Sequence, residues 1–295
     1  TELWPNMLHQ VRAAGCEVLL ANARLSERSA RGYARVAALT RQMLGEITTL
    51  ACQSEADSKR FLALGAAPSA LQVTGNTKFD LVLDDSLRTG AAQLRQSFSA
   101  GGRPVLVAAS THPGEELLIL AAYRGIRSAL GDCLLVLVPR HPERFAEVLE
   151  LCREQGWRVS RRSAGGTPAP ADDILLVDTM GELLLLLGTA TVAVFGGSLL
   201  GHGGHNVLEA AAWGVPAVTG PHMENFAGVT ELLSAGGALV QLDSVAGLDS
   251  CLLELLGDPA RRERMGAAGM RAVAENRGAS GRLLALVAPL LASGD

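Results

Sequence analysis

Short runs of Val, Ile, Leu and Ala recur along this chain, and each is separated from the next by a stretch long enough for a helix. The runs are Glu17–Ala21, Ile47–Gln53, Leu71–Thr74, Val105–Ala109, Leu134–Val138, Arg158–Ser160, Ile174–Val177, Thr191–Phe195, Pro216–Thr219 and Ala238–Gln241. Most are apolar at consecutive positions, so both faces of each strand must be covered, which calls for parallel sheets built from βαβ units. The intervening stretches predict helices over Ser26–Leu44, Ser54–Leu64, Ala91–Phe98, Gly114–Leu130, Glu143–Gln155, Gly181–Leu187, Asn206–Trp213 and Glu224–Ser234, with a helical tail from Val245 to Leu291. The expected class is α/β with doubly wound sheets.

The alternation loosens between Asp84 and Pro104, where Ser99-Ala100-Gly101-Gly102-Arg103-Pro104 marks a domain junction, and 295 residues suffice for two domains. A net charge of −4, without a concentrated basic stretch, argues against a nucleic-acid partner. The five scattered cysteines include no Cys-x-x-Cys spacing and read as reduced thiols in core or helix-face positions. The longest apolar run, Leu183–Leu187, is too short to span a bilayer. The chain opens at Thr1 without Met or a signal-like segment, and reads as a piece of a longer protein.

In a doubly wound sheet, ligands bind beyond the carboxyl ends of the strands. Four polar clusters occupy such positions: Ser110-Thr111-His112-Pro113-Gly114-Glu115, Pro139-Arg140-His141-Pro142, Thr179-Met180-Gly181-Glu182, and the glycine-rich Gly196–Gly204 run leading into His205-Asn206-Val207-Leu208-Glu209. A glycine loop entering a helix exposes amides to a phosphate, and Glu209, three residues from Asn206, suits a ribose diol. The competing reading is a capped helix with a solvated Glu. Arg140, stiffened by two prolines, suits a phosphate or carboxylate; the competing reading is a surface ion pair with Glu143 or Glu147. Gly181 and Glu182 open a helix whose amides could meet an anion or a base edge, or simply carry a favoured acidic residue. His202 and His205 lack carboxylate partners, so no metal site is expected.

Together these blocks resemble the GT-B glycosyltransferases, and more narrowly the 3-deoxy-D-manno-octulosonic acid (Kdo) transferases of lipid A assembly. The resemblance runs through Glu2-Leu3-Trp4-Pro5-Asn6, Asn22-Ala23-Arg24-Leu25-Ser26, Gln53-Ser54-Glu55, Gly75-Asn76-Thr77-Lys78-Phe79-Asp80, Pro139–Phe145, Gly204–Ala210 and Gly220–Phe226. It implies two Rossmann-like domains facing a cleft, the first incomplete. Residues 1–101 would be the C-terminal part of the acceptor domain, 102–277 the CMP-sugar donor domain, and 278–295 a helix packing back on the first domain.

The resemblance further implies transfer of Kdo from CMP-Kdo to a lipid A precursor (lipid IVA) at the cytoplasmic face of the bacterial inner membrane. The displacement would be inverting and metal-independent, with no cofactor beyond the donor. Pro139, Arg140, Met180, Gly181, Glu182, Asn206, Val207, Leu208 and Glu209 would hold CMP, while Glu2 and Lys78 would stabilise the transition state. The general base and the membrane-contacting segment would lie upstream of Thr1, so these 295 residues are expected to transfer little sugar. Alternatives are a GT-B enzyme using a UDP- or GDP-sugar, or a non-catalytic nucleotide-binding module.

Overall fold

A computed structural model describes residues 3–98, 102–165 and 167–292. The chain divides into two compact units, one formed by Thr1–Asp80 with Ala274–Asp295 and the other by Leu81–Val273.

In the first unit, β1 (Leu19–Ala23), β2 (Thr49–Cys52) and β3 (Leu71–Val73) form a parallel sheet in that order. Around it lie α1 (Pro5–Ala13), α2 (Glu27–Ala34), α3 (Ala37–Gly45) and α4 (Glu55–Ala63). Their apolar faces close a core of Leu8, Met43, Leu44, Ile47, Leu50 and Phe61. The sequence predicts one helix over Ser26–Leu44, but the structure breaks it at Arg35–Val36. There the Arg35 and Val36 amides bond to residues three back, and Thr40 Oγ1 donates to the Tyr33 carbonyl at 2.8 Å. A local hydroxyl partner thus competes with the helical ladder. Ser54 caps α4 by accepting from Asp57 N at 3.1 Å.

The second unit contains a seven-stranded, wholly parallel sheet. It is made of β4 (Val105–Thr111), β5 (Leu134–Pro139), β6 (Val159–Arg161), β7 (Ile174–Leu176), β8 (Val192–Phe195), β9 (Ala217–Thr219) and β10 (Leu239–Gln241), in the order β10-β9-β8-β4-β5-β7-β6. The chain winds outward from β4 on one side, then returns to place β8 on its other side. This makes the β4/β8 boundary the topological switch point. Every residue of β4, β5, β7 and β8 is buried, as their unbroken apolar character requires.

The helices α5 (Asp85–Phe98), α6 (Glu115–Leu130), α7 (Phe145–Glu154), α8 (Leu183–Leu187), α9 (Leu208–Trp213), α10 (Ala227–Ala235), α11 (Leu248–Gly257) and α12 (Pro259–Glu275) complete this unit apart from the last two residues of α12. One core cluster joins α6, α7 and α11 to β4, β5, β7 and β8. The compact units divide at 80/81 and 273/274, whereas the sequence reading placed boundaries at 101/102 and 277/278. The difference at the first boundary arises from α5, which begins at Asp85 rather than Ala91 and packs on α8.

The final helix, α13 (Ala279–Ala292), belongs to the first unit. Asp80 accepts from Gly278 N at 2.6 Å and Ser280 N at 2.5 Å, while Arg282 Nε donates to Thr74 O at 2.7 Å. Among the described residues, no helix is long and apolar enough to cross a membrane. Cys52, Cys133, Cys152 and Cys251 are buried free thiols, and Cys16 is an exposed one.

Candidate functional site

The carboxyl ends of β4 and β8 are held together by a buried acid. Glu115 is fully buried, and its carboxylate accepts from four backbone amides: His112 at 2.9 Å, Gly197 at 2.7 Å, Leu199 at 2.9 Å and Leu200 at 3.3 Å. The turn after β4 is thereby clasped to the glycine loop after β8. Close approach is possible because residue 196 is glycine: a Cβ there would lie 2.5 Å from Ser110 O and 2.6 Å from Thr111 Cα. Ser110 itself has a left-handed backbone, φ 56°, at the end of the innermost strand.

The rest of the glycine loop folds onto the segment after β9. Gly203 O accepts from Asn225 N at 3.0 Å, Ser198 O accepts from His222 N at 3.0 Å, and Ser198 Oγ accepts from Gly220 N at 2.8 Å. Gly203 and Gly204 have φ of +84° and +77°, and a Cβ on either would enter Asn225 or Met223. The Gly204–Ala210 and Gly220–Phe226 blocks are thus two halves of one loop structure.

The β5 turn is fixed by a second buried acid, Glu116. Its carboxylate accepts from Thr111 Oγ1 at 2.8 Å and from both terminal nitrogens of Arg144, at 2.7 and 3.2 Å. Arg144 also reaches Glu147 at 3.0 Å, while Glu143 lies 3.8 Å from His141. The surface pairing weighed for Arg140 is therefore absent: the two glutamates have other partners. Arg140 is exposed, and no ion pair to it occurs among the described residues.

Four imidazoles gather beside this guanidinium. His112 Nε2 lies 2.8 Å from His205 Nε2, the His202 ring stacks on His112 at 4.3 Å, and the His141 ring stands edge-on to it at 5.3 Å. Partial burial and neighbouring positive groups hold His112 below its ordinary range and push His205 down to about 4. Among the described residues, no group of three or more His, Cys, Asp or Glu is arranged to hold a metal.

Beyond the histidines, Asn206 bonds to Glu209, whose burial raises its carboxyl above the ordinary value despite that bond. The predicted Asn206–Trp213 helix begins instead at Leu208, with Asn206 Oδ1 accepting from Leu208 N at 3.3 Å, because the side chain closes the turn before the helix. Val207 and Leu208 are wholly buried, main chain included, so they line the site from beneath its surface. Pro139 ends β5 and is buried beside β4.

After β7, the predicted Gly181–Leu187 helix starts at Leu183. Gly181 takes φ +83° and Glu182 precedes the helix, accepting from Thr179 Oγ1 and from Arg162 at 2.7 Å. These bonds hold Glu182 below the ordinary carboxylate range, Arg162 being the largest cause. Met180 is exposed beside it. The predicted donor-site residues therefore fall at the carboxyl ends of β5, β7 and β8 in one sheet.

The first unit has its own strand-end cluster. Asn22, φ 51°, accepts through Oδ1 from Thr77 N at 3.3 Å and through its carbonyl from Gln53 Nε2 at 3.0 Å. Leu25 N donates to buried Asp57 at 2.8 Å. Lys78 is exposed beside Arg24, and desolvation together with that neighbouring charge lowers its ammonium below the ordinary value. Glu2 lies outside the described residues.

The sequence places His112, Glu115 and His141 in strand-end clusters without assigning them roles, and does not single out Arg162. The available signal was that four histidines, His112, His141, His202 and His205, follow the ends of β4, β5 and β8.

The fold and these strand-end constellations define an α/β protein of the GT-B class, with a Rossmann-like parallel sheet in each unit. Residues 1–81 match a family model described as 3-deoxy-D-manno-octulosonic-acid transferase (kdotransferase). A curated 3-deoxy-D-manno-octulosonic acid transferase of Haemophilus influenzae is 40% identical over 292 residues, covering 99% of this chain and 68% of that protein. Against two further curated relatives, from Bordetella pertussis and Rickettsia typhi, the chain spans 66% and 54% of their lengths.

Among solved structures, the C-terminal CMP-Kdo binding domain of WaaA from Acinetobacter baumannii is 33% identical. Its TM-score is 0.60, and the match covers 64% of this chain and 99% of that one. Anabaena Alr3699/HepE in complex with UDP, at 15% identity and TM-score 0.60 over 98% of this chain and 76% of that one, shares the fold. The chain belongs to the 3-deoxy-D-manno-octulosonic acid transferase family.

Proposed function

We propose that the Leu81–Val273 unit binds CMP-Kdo at the carboxyl ends of β5, β7 and β8, and that the protein transfers Kdo to a lipid A precursor, lipid IVA. The observation that carries this reading is the placement, at the carboxyl ends of β5 and β8 in one sheet, of Arg140, which makes no ion pair among the described residues, and of a half-buried Asn206–Glu209 couple. The guanidinium suits the donor phosphate, and the Glu209 carboxylate can accept both hydroxyls of a ribose. The turn holding Met180, Gly181 and Glu182 would face the cytosine.

Departure of CMP builds positive charge at the anomeric carbon and negative charge on the phosphate, where fixed cations act most strongly. Lys78 and Glu2 would serve the transition state in the first unit, which would receive the acceptor. The displacement would invert the anomeric centre and require neither metal nor cofactor. We place the reaction at the cytoplasmic face of a bacterial inner membrane, and assign the general base to no residue of this chain.

Arg140→Ala and Glu209→Ala each remove charged hydrogen bonds worth about 1.5–3 kcal/mol, so calorimetry should show CMP binding roughly ten- to a hundredfold weaker in each. Parent-like CMP affinity in both variants would contradict the assignment.

A further inference from the structure

The imidazole cluster has chemistry that nucleotide holding does not by itself require. Its centre is the 2.8 Å contact between His112 Nε2 and His205 Nε2, a hydrogen bond in which only one of the facing nitrogens can carry a proton. A further proton must therefore go to an outward Nδ1. It then leaves the N–H···N bond intact and makes it charge-assisted, hence stronger. The pair can accept one positive charge without rearranging.

The charged and titratable neighbours favour that step only when an anion is present. Arg140, His141 and His202 face the pair, and all oppose a proton on it. Glu115 is the acid facing His112, but four backbone amides occupy its oxygens. On the neighbouring loops, His141 has Glu143 at 3.8 Å and His222 has Glu224 at 3.4 Å. Half-burial adds to the cost of a lone charge. An oxyanion seated against Arg140 would offset that guanidinium's repulsion and attract a second cation.

We propose that the His112–His205 pair, with Arg140, forms a proton-coupled seat for an oxyanion of the bound donor, so that the arriving negative charge draws one proton from solvent onto the pair. This inference rests on the donor-site reading above. The oxyanion is either the phosphate or the sugar carboxylate, and if it is the phosphate the same pair would also offset the negative charge that builds on it as its bond to the anomeric carbon breaks. The empty pair is pushed down, to about 4 at His205, so the proton is taken up on binding rather than already present at neutral pH.

The test uses calorimetric titration of the full chain with two anions that do not themselves titrate near neutrality: the methyl phosphodiester of CMP, and free 3-deoxy-D-manno-octulosonate. Each is measured in two buffers of unlike ionisation enthalpy, neither containing phosphate or carboxylate. Near pH 6, on the order of one proton should be taken up with at least one probe, and affinity for that probe should fall up to about tenfold for each pH unit upward.

Uptake with the diester identifies a phosphate seat, and uptake with the sugar acid a carboxylate seat. His205→Asn keeps a polar partner for His112 and should reduce both the uptake and the pH dependence. Binding without net proton uptake for both probes would overturn this inference while leaving the donor site standing. Failure of the diester to bind at all would overturn the donor-site reading and the inference with it.

Discussion

Glu115→Ala is expected to lower the melting temperature of the Leu81–Val273 unit by roughly 10 °C. The substitution takes the acceptor away from four amides at once, and the bonds from Gly197 and Leu199 are buried. At about 1–3 kcal/mol for each orphaned donor, and about 2–4 °C per kcal/mol for a unit of this size, the loss is far above a typical surface substitution. Glu115→Gln should fall between the two, because it keeps one acceptor oxygen but turns an NH2 group toward amide donors. Thermal melts followed by circular dichroism measure this, and a shift of less than about 2 °C for Glu115→Ala would show that the clasp does not hold the glycine loop.

The second large effect concerns Arg144→Met, which leaves the fully buried Glu116 without its bidentate cation. Breaking such a pair on one side should cost about 3–5 kcal/mol, because an uncompensated charge stays in the core. Replacing both residues, as in Glu116→Leu with Arg144→Met, should recover at least half of that loss, since the desolvation penalty goes with the charges. Denaturant melts of the three variants form the cycle. A double variant no more stable than Arg144→Met alone would mean that the stability comes from packing of the arginine stem.

The two buried acids show what the sequence hides. Glu115 and Glu116 open a helix, where an acidic residue is favoured by the helix dipole whatever else it does. Nothing in the sequence distinguishes a solvated pair from one whose partners are backbone amides and an arginine 28 residues away. The alternation of strands and helices was legible because an apolar run buried on both faces admits few other readings. For the same reason, Arg140, Glu182, Asn206 and Glu209 could be placed at strand ends before their geometry was known.

The gathering of His112 with His205 was not legible, since it joins residues 93 apart through two strands that become neighbours only when the chain returns to the middle of the sheet. The break between α2 and α3 escaped for a smaller reason: one threonine hydroxyl, at Thr40, redirected a carbonyl that periodicity assigned to the helix.

The central claim is that the strand ends of the second unit select a cytidine nucleotide. Its most direct test is calorimetric titration of the full chain with CMP, UDP and GDP under identical conditions. CMP should bind at least tenfold more tightly than either of the others, a difference of about 1.4 kcal/mol. Equal or tighter binding of UDP or GDP would contradict the account, and so would failure of all three to bind.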